Sequence, residues 1–113
     1  MNLVLDGSPL PLDTIVAVGR GGVAVTLAPT AAAAMERSRT VVRDALDAGA
    51  TVYGVTTGFG ALASTRIDES DAIELQVGLL RSHAAGVGEA VDDDLVRAML
   101  VLRARTLAQG HSG

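Results

Sequence analysis

The chain contains no cysteine, no lysine and no tryptophan, and its aromatic side chains are one tyrosine and one phenylalanine. Without cysteine, disulfides, thiolate–metal sites and thiol nucleophiles are excluded within it. Without lysine, so are a Schiff-base lysine and the lysine of a phosphate-binding P-loop. All nine basic residues are arginines. The two histidines, His83 and His111, are too few for a metal site unless carboxylates help, and no HExxH spacing is present, so no metal is expected. A net charge of -4 argues against nucleic acid or an anionic membrane as partner, because both need basic patches. No apolar run approaches the ~20 residues of a membrane span. The N-terminus, MNLVLDGSPLPLD, has no basic residue ahead of its short apolar run and does not read as a secretory signal. A cytoplasmic setting is the default expectation.

What is present is small and aliphatic. Of 113 residues, 49% are hydrophobic, which is enough for one modest domain whose core is built from alanine, valine and leucine. LVLDG at 3–7 reads as a short strand ending in a turn, LDTIVAVGR at 12–20 as a short helix with Asp13 near its start, and VAVTL at 23–27 as a second strand. Residues 1–28 are thus expected to form a small β-containing cap, and 29–113 to be helical.

The first long helix is expected from Thr30, as N-cap, to Gly49, as C′ glycine. Ala34, Val41 and Ala45, with Met35, Val42 and Leu46 one row over, make its apolar stripe. A second helix is expected from Glu69 to about Ala84. Its apolar rows, Ile73, Val77, Leu80 and Ala84 on one side and Leu75 and Leu79 on another, suggest a helix surrounded by others. A third runs from the acidic Asp92-Asp93-Asp94, read as a capping feature, to near Gly110. Leu95, Met99 and Leu102, with Val96, Leu100 and Leu107, are expected on its buried side. The final GHSG reads as a loop just beginning, which suggests a piece of a larger fold. The fold class is therefore mainly α with a small β-containing N-terminal cap.

Both aromatic residues fall in one glycine-rich stretch, VYGVTTGFG, at Tyr53 and Phe59. Gly58-Phe59-Gly60-Ala61-Leu62-Ala63 fits the loose dinucleotide pattern G-x-G-x-x-G/A, but the polar STRIDESD that follows does not open an apolar helix. Tyr53 itself has two readings. A phenol ordinarily titrates near ~10, so work as a base at neutral pH needs a polarising environment, which close backbone N–H groups at Gly54, Gly58 and Gly60 can supply. The alternative is a ring packed on the core with a wet hydroxyl. His83, at the junction of a helix with AAGVG, either caps carbonyls or points into a cleft. His111 has no assigned role.

Three blocks in order, VYGVTTGFG at 52–60, LRSHAAGVGE at 80–89 and LVRAMLVLRARTLAQGHSG at 95–113, resemble the N-terminal part of the aromatic amino acid ammonia-lyases. The resemblance covers nearly the whole chain and implies part of a larger helical-bundle lyase fold. It implies elimination of ammonia from an α-amino acid, with Tyr53 matching the family's catalytic base and His83 a substrate-binding position. Gly54, Gly58, Phe59 and Gly60 then form the loop that supports the base. Ser82-His83 followed by Ala84 looks like the histidine-specific branch, which turns L-histidine into urocanate in histidine catabolism. Tyrosine ammonia-lyase and tyrosine 2,3-aminomutase remain alternatives of the same superfamily. A reading of another class is a non-catalytic helical association module.

The family's electrophile is a 4-methylidene-imidazol-5-one (MIO) formed from an internal Ala-Ser-Gly. No such triplet occurs in these 113 residues, since Ala63-Ser64 is followed by Thr65. The resemblance therefore places the cofactor outside this chain. It implies partners in the remainder of the lyase subunit and in a homotetramer, and an isolated chain without activity.

Overall fold

The computed structural model describes residues 1–58, 60–62 and 64–112, with Leu62 and Glu69 described by their backbone alone. Among the described residues the order is β1 (Asn2–Leu5), α1 (Leu12–Gly19), β2 (Ala24–Leu27), α2 (Pro29–Asp47), a 3-10 turn (Gly60–Leu62), α3 (Glu69–His83) and α4 (Asp93–Ala108). The chain is mainly helical with a small sheet at its N-terminus, as its apolar periodicities predict. It divides into two compact units, residues 1–40 with 89–113, and residues 41–88.

In the first unit β1 and β2 pair in parallel, Asn2 opposite Ala24 through Leu5 opposite Leu27. Parallel strands need a crossover, and α1 supplies it. Asp6 closes the turn after β1, its Oδ1 accepting from the Ser8 backbone N–H at 2.8 Å. Hydrogen bonds from Ser8 hold the Asp6 carboxyl below the usual carboxylate range.

The core joins Leu5, Val18, Ala28, Ala31, Val101 and Ala108, with Leu3, Leu10, Ile15 and Val23 partly buried against it. Its members are small, so the elements approach closely. A Cβ added at Gly19 would stand 2.9 Å from the Asp94 carbonyl oxygen of α4. Arginines of α4 complete the contact. Arg97 Nη1 donates to the Gly19 carbonyl at the end of α1 (3.1 Å), and its Nη2 pairs with Asp93 at 3.2 Å. Arg105 Nε donates to the Ser8 carbonyl at 3.0 Å.

Local expectations on α2, α3 and α4 are corrected. α2 begins at Pro29, where a proline's missing N–H costs nothing, and the backbone N–H of Ala32 already bonds the Ala28 carbonyl. Thr30 therefore lies inside the helix and is not its cap. The helix end is as expected. Gly49 takes φ +62° and donates to Leu46, while Ala50 donates to Ala45, the paired bonds of a Schellman ending.

On α4 the buried residues are Val101 and Ala108, whereas Leu95, Val96, Met99, Leu100 and Leu102 are exposed. The neighbours α1 and β1 come too close for leucine, and alanine and valine take the inner row. Asp92 precedes α4 without a side-chain capping bond, and the acidic run contributes through the Asp93–Arg97 pair. Val41 on α2, and Ile73 and Leu80 on α3, are likewise exposed.

Gly110 sits just past α4 at φ +71°, where a Cβ would lie 2.6 Å from the Ala34 carbonyl carbon of α2. Gly110→Ala combines a left-handed backbone with a clash against main chain. It is expected to destabilise the chain by about 2–4 kcal/mol. Urea denaturation checks this, and an unchanged midpoint would refute the close approach.

Candidate functional site

The second unit contains both residues that carry the sequence-level expectation, Tyr53 and His83. Its first feature is a turn. Val55 and Thr56 donate their backbone N–H groups to the Val52 carbonyl at 3.1 and 2.9 Å, so residues 52–56 curl back on themselves. Gly54 takes φ +73°, a conformation that side chains avoid. Tyr53 is carried on this turn with 65% of its surface exposed.

Two threonine side chains hold the turn from beneath. Thr56 Oγ1 donates to the Ala50 carbonyl at 2.7 Å and accepts from the Val52 N–H at 2.8 Å. Thr57 Oγ1 accepts from the Gly54 N–H at 3.3 Å and donates to the Gly58 carbonyl at 3.0 Å. Thr56 is 4% and Thr57 1% exposed. A hydroxyl that both donates and accepts can replace two backbone partners in a segment without regular structure. The sequence shows these threonines inside the glycine stretch but gives no local sign that they, and not the glycines alone, fix the loop.

Further along, the stretch pairs with itself. Thr57 and Arg66 form an antiparallel bridge, with Gly58 N–H to the Thr65 carbonyl at 3.1 Å and Ile67 N–H to the Thr56 carbonyl at 3.0 Å. Gly58 is thus buried in this bridge, and Gly60 opens the short 3-10 turn with φ +56°. A three-residue turn offers no helix for a dinucleotide phosphate, which removes the G-x-G-x-x-A reading. Phe59, expected in the supporting loop, lies outside the described residues, as does Ala63 of that pattern.

α3 links the turn to His83. Gln76 Nε2 donates to the Gly54 carbonyl at 3.5 Å. His83 lies seven residues on, about two turns and ~10 Å along the helix, on the same face. The two predicted residues therefore belong to one unit, linked through Gln76 and α3. His83 is exposed, and its Nδ1 lies 2.9 Å from the Leu79 carbonyl oxygen and 3.1 Å from Ser82 Oγ. Ser82 Oγ itself donates to the Leu79 carbonyl at 2.9 Å. His111 belongs to the first unit and is exposed.

A hollow of about 210 Å³ in this unit is lined by Leu46, Asp47, Gly49, Thr56, Arg66, Ile67 and Asp68, and neither Tyr53 nor His83 borders it. It lies under the turn, not at its exposed tip. Among the described residues no group of three or more histidine or acidic side chains is placed to hold a metal ion. No helix among them is long and apolar enough to cross a membrane.

The sequence profile of the family described as aromatic amino acid lyase matches residues 10–113. Over 111 residues the chain is 52% identical to a histidine ammonia-lyase of Gloeobacter violaceus, covering 98% of this chain and 22% of that protein. Among solved structures, the ergothioneine-degrading ergothionase of Treponema denticola superposes with a TM-score of 0.92 at 30% identity, over 97% of this chain and 22% of that one. A tyrosine aminomutase of Streptomyces globisporus gives 0.89 at 33% identity, over 97% and 21%. The chain thus spans about a fifth of the length of the curated relatives it matches.

Thr57→Val keeps the side-chain volume and deletes the hydroxyl, leaving the Gly54 N–H and the Gly58 carbonyl without their partner. The expected cost is about 1–3 kcal/mol, with the Gly54 amide exchanging with solvent at least tenfold faster. Hydrogen exchange read by NMR checks this, and unchanged protection at Gly54 would remove Thr57 from the support of the turn.

Proposed function

The chain belongs to the aromatic amino acid lyase family, and we propose that it is the N-terminal part of a histidine ammonia-lyase, a carbon–nitrogen lyase that converts L-histidine to urocanate and ammonia. The observation that carries this reading is the placement of Tyr53. Tyr53 is 65% exposed on a turn whose backbone is fixed by two buried hydroxyls, on the same unit as His83. That combination suits a proton acceptor better than a packing residue, because the ring is presented to solvent while its base is held.

In the reaction so read, a β-carbon–hydrogen bond and the α-carbon–nitrogen bond of the amino acid break, and a carbon–carbon double bond forms between α and β. Tyr53, as phenolate, takes the β-proton on its oxygen, and the amino group leaves as ammonia. His83 contacts the side chain of the substrate and orients it, so that the proton faces the phenol. The family's methylidene-imidazolone supplies an electrophile that makes the amino group a better leaving group. No Ala-Ser-Gly occurs in these 113 residues. The chain therefore does not form that group, and its own residues supply proton acceptance and substrate contact.

Exposed rows on the helices fit a segment that works inside a larger assembly. Ile73 and Leu80 on α3 are 77% and 72% exposed, and Met99 and Leu100 on α4 are 67% and 64% exposed. In the proposed enzyme these rows meet the remainder of the subunit and its copies in a homotetramer. The likeness to a tyrosine aminomutase supports a second reading, tyrosine ammonia-lyase or tyrosine 2,3-aminomutase, in which His83 meets a phenol in place of an imidazole. Supplying histidine and tyrosine to a complete subunit that carries this segment separates the two.

Tyr53→Phe in that complete subunit keeps the ring and deletes the hydroxyl. Turnover is expected to fall about 10²–10⁴-fold with substrate affinity little changed. A wild-type rate would remove Tyr53 from the base role. The purified 113-residue chain is expected to yield no urocanate, read by its ultraviolet absorbance, and measurable production would overturn the claim that the electrophile lies elsewhere.

A further inference from the structure

His83 ends α3 with its ring turned back along the helix. The contact of interest is at Nδ1, which has two oxygen neighbours, the Leu79 carbonyl at 2.9 Å and Ser82 Oγ at 3.1 Å. A carbonyl oxygen can only accept a hydrogen bond. If Nδ1 carried a lone pair, it would face the carbonyl lone pairs at hydrogen-bonding distance with no proton between them. Nδ1 must therefore hold the proton in the neutral ring.

The serine points the same way. Its own hydroxyl proton is engaged by the Leu79 carbonyl at 2.9 Å, so Oγ turns a lone pair toward Nδ1. Both oxygens then accept from one N–H. The other ring nitrogen, Nε2, is left with a lone pair on an exposed residue.

We propose that Ser82 is a positioning residue that, with the Leu79 carbonyl, fixes His83 in its Nδ1–H tautomer, so that Nε2 is a hydrogen-bond acceptor for the substrate. The inference deepens the substrate contact assigned to His83 and rests on that reading for its functional consequence. An acceptor at Nε2 selects side chains that bring a donor: the ring N–H of an imidazole or the hydroxyl of a phenol. A plain phenyl ring has neither and would leave the lone pair unsatisfied, a penalty of the kind that rejects an analogue lacking its polar group. Selectivity for a polar ring then depends on a serine that need not touch the substrate.

The chain has only two histidines, so the test can be direct. In the ¹⁵N-labelled 113-residue chain, long-range proton–nitrogen spectra recorded well above the ordinary histidine range of about 6.5 distinguish the two neutral tautomers. His111→Asn assigns the signals. The expected result is His83 mainly as Nδ1–H, the form that free histidine disfavours. A His83 found mainly as Nε2–H overturns the proposal without any variant being needed. Ser82→Ala is expected to shift His83 toward Nε2–H, and Ser82→Thr to restore Nδ1–H. An unmoved tautomer in Ser82→Ala would take Ser82 out of the role.

A complete subunit carrying Ser82→Ala is expected to lose about three- to tenfold in kcat/KM for histidine, mostly in KM, with Ser82→Thr recovering it. If the tautomer is Nδ1–H but His83→Ala leaves kcat/KM for histidine unchanged, the clamp stands and the substrate contact of His83 fails. The two claims therefore fall separately.

Discussion

The presentation of Tyr53 depends on two buried hydroxyl groups. The turn carrying Tyr53 belongs to no helix or strand, so its backbone groups need partners from elsewhere. Thr56 and Thr57 supply them, each donating once and accepting once, at positions 4% and 1% exposed. Valine would fill the same space and leave those groups orphaned. The glycines let the chain bend, but they do not determine which bend it keeps. The threonines do, and Tyr53 is carried on the bend that they hold.

A second constraint is the scarcity of aromatic residues. With one tyrosine and one phenylalanine, the core of the first unit is assembled from leucine, valine and alanine. Small side chains bring backbones together, and close backbones demand glycine where they touch, as at Gly19 against Asp94 and Gly110 against Ala34. The same closeness moves polar work onto long arginines. Arg97 reaches the open end of α1, and Arg105 reaches the loop after β1. A helix whose inner row is valine and alanine keeps its leucines outside, which is why α4 presents Met99 and Leu100 to solvent.

The legible part of the fold was its local part. Helix spans follow from apolar periodicity, and the end of α2 follows from Gly49, because a left-handed residue after a helix favours glycine. The start of α2 carries two competing signals: Thr30 is a good cap by type, yet Pro29 preorganises the first turn ahead of it. What could not be read were contacts between distant residues. The Arg97–Gly19 and Arg105–Ser8 bonds span 78 and 97 positions, and neither has a local signature. The inner face of α4 failed for a related reason. Leucine predicts burial on average, but which face of a helix meets a neighbour depends on how large that neighbour is.

For the candidate site the division is similar. Tyr53 and His83 stand out by rarity, since one is the sole tyrosine and the other one of two histidines. Their relation does not. The link runs from the Gly54 carbonyl to Gln76, then along one face of α3 to His83, and Gln76 is unremarkable in sequence. Ser82 is equally ordinary, a helical serine whose hydroxyl returns to the backbone as many do. It gains meaning only because a histidine follows it and shares its acceptor. A hydroxyl one residue before a histidine costs the fold almost nothing at an exposed helix end. In the role proposed for it, it acts with the Leu79 carbonyl on which ring nitrogen carries the proton, and so on what kind of side chain that ring could recognise.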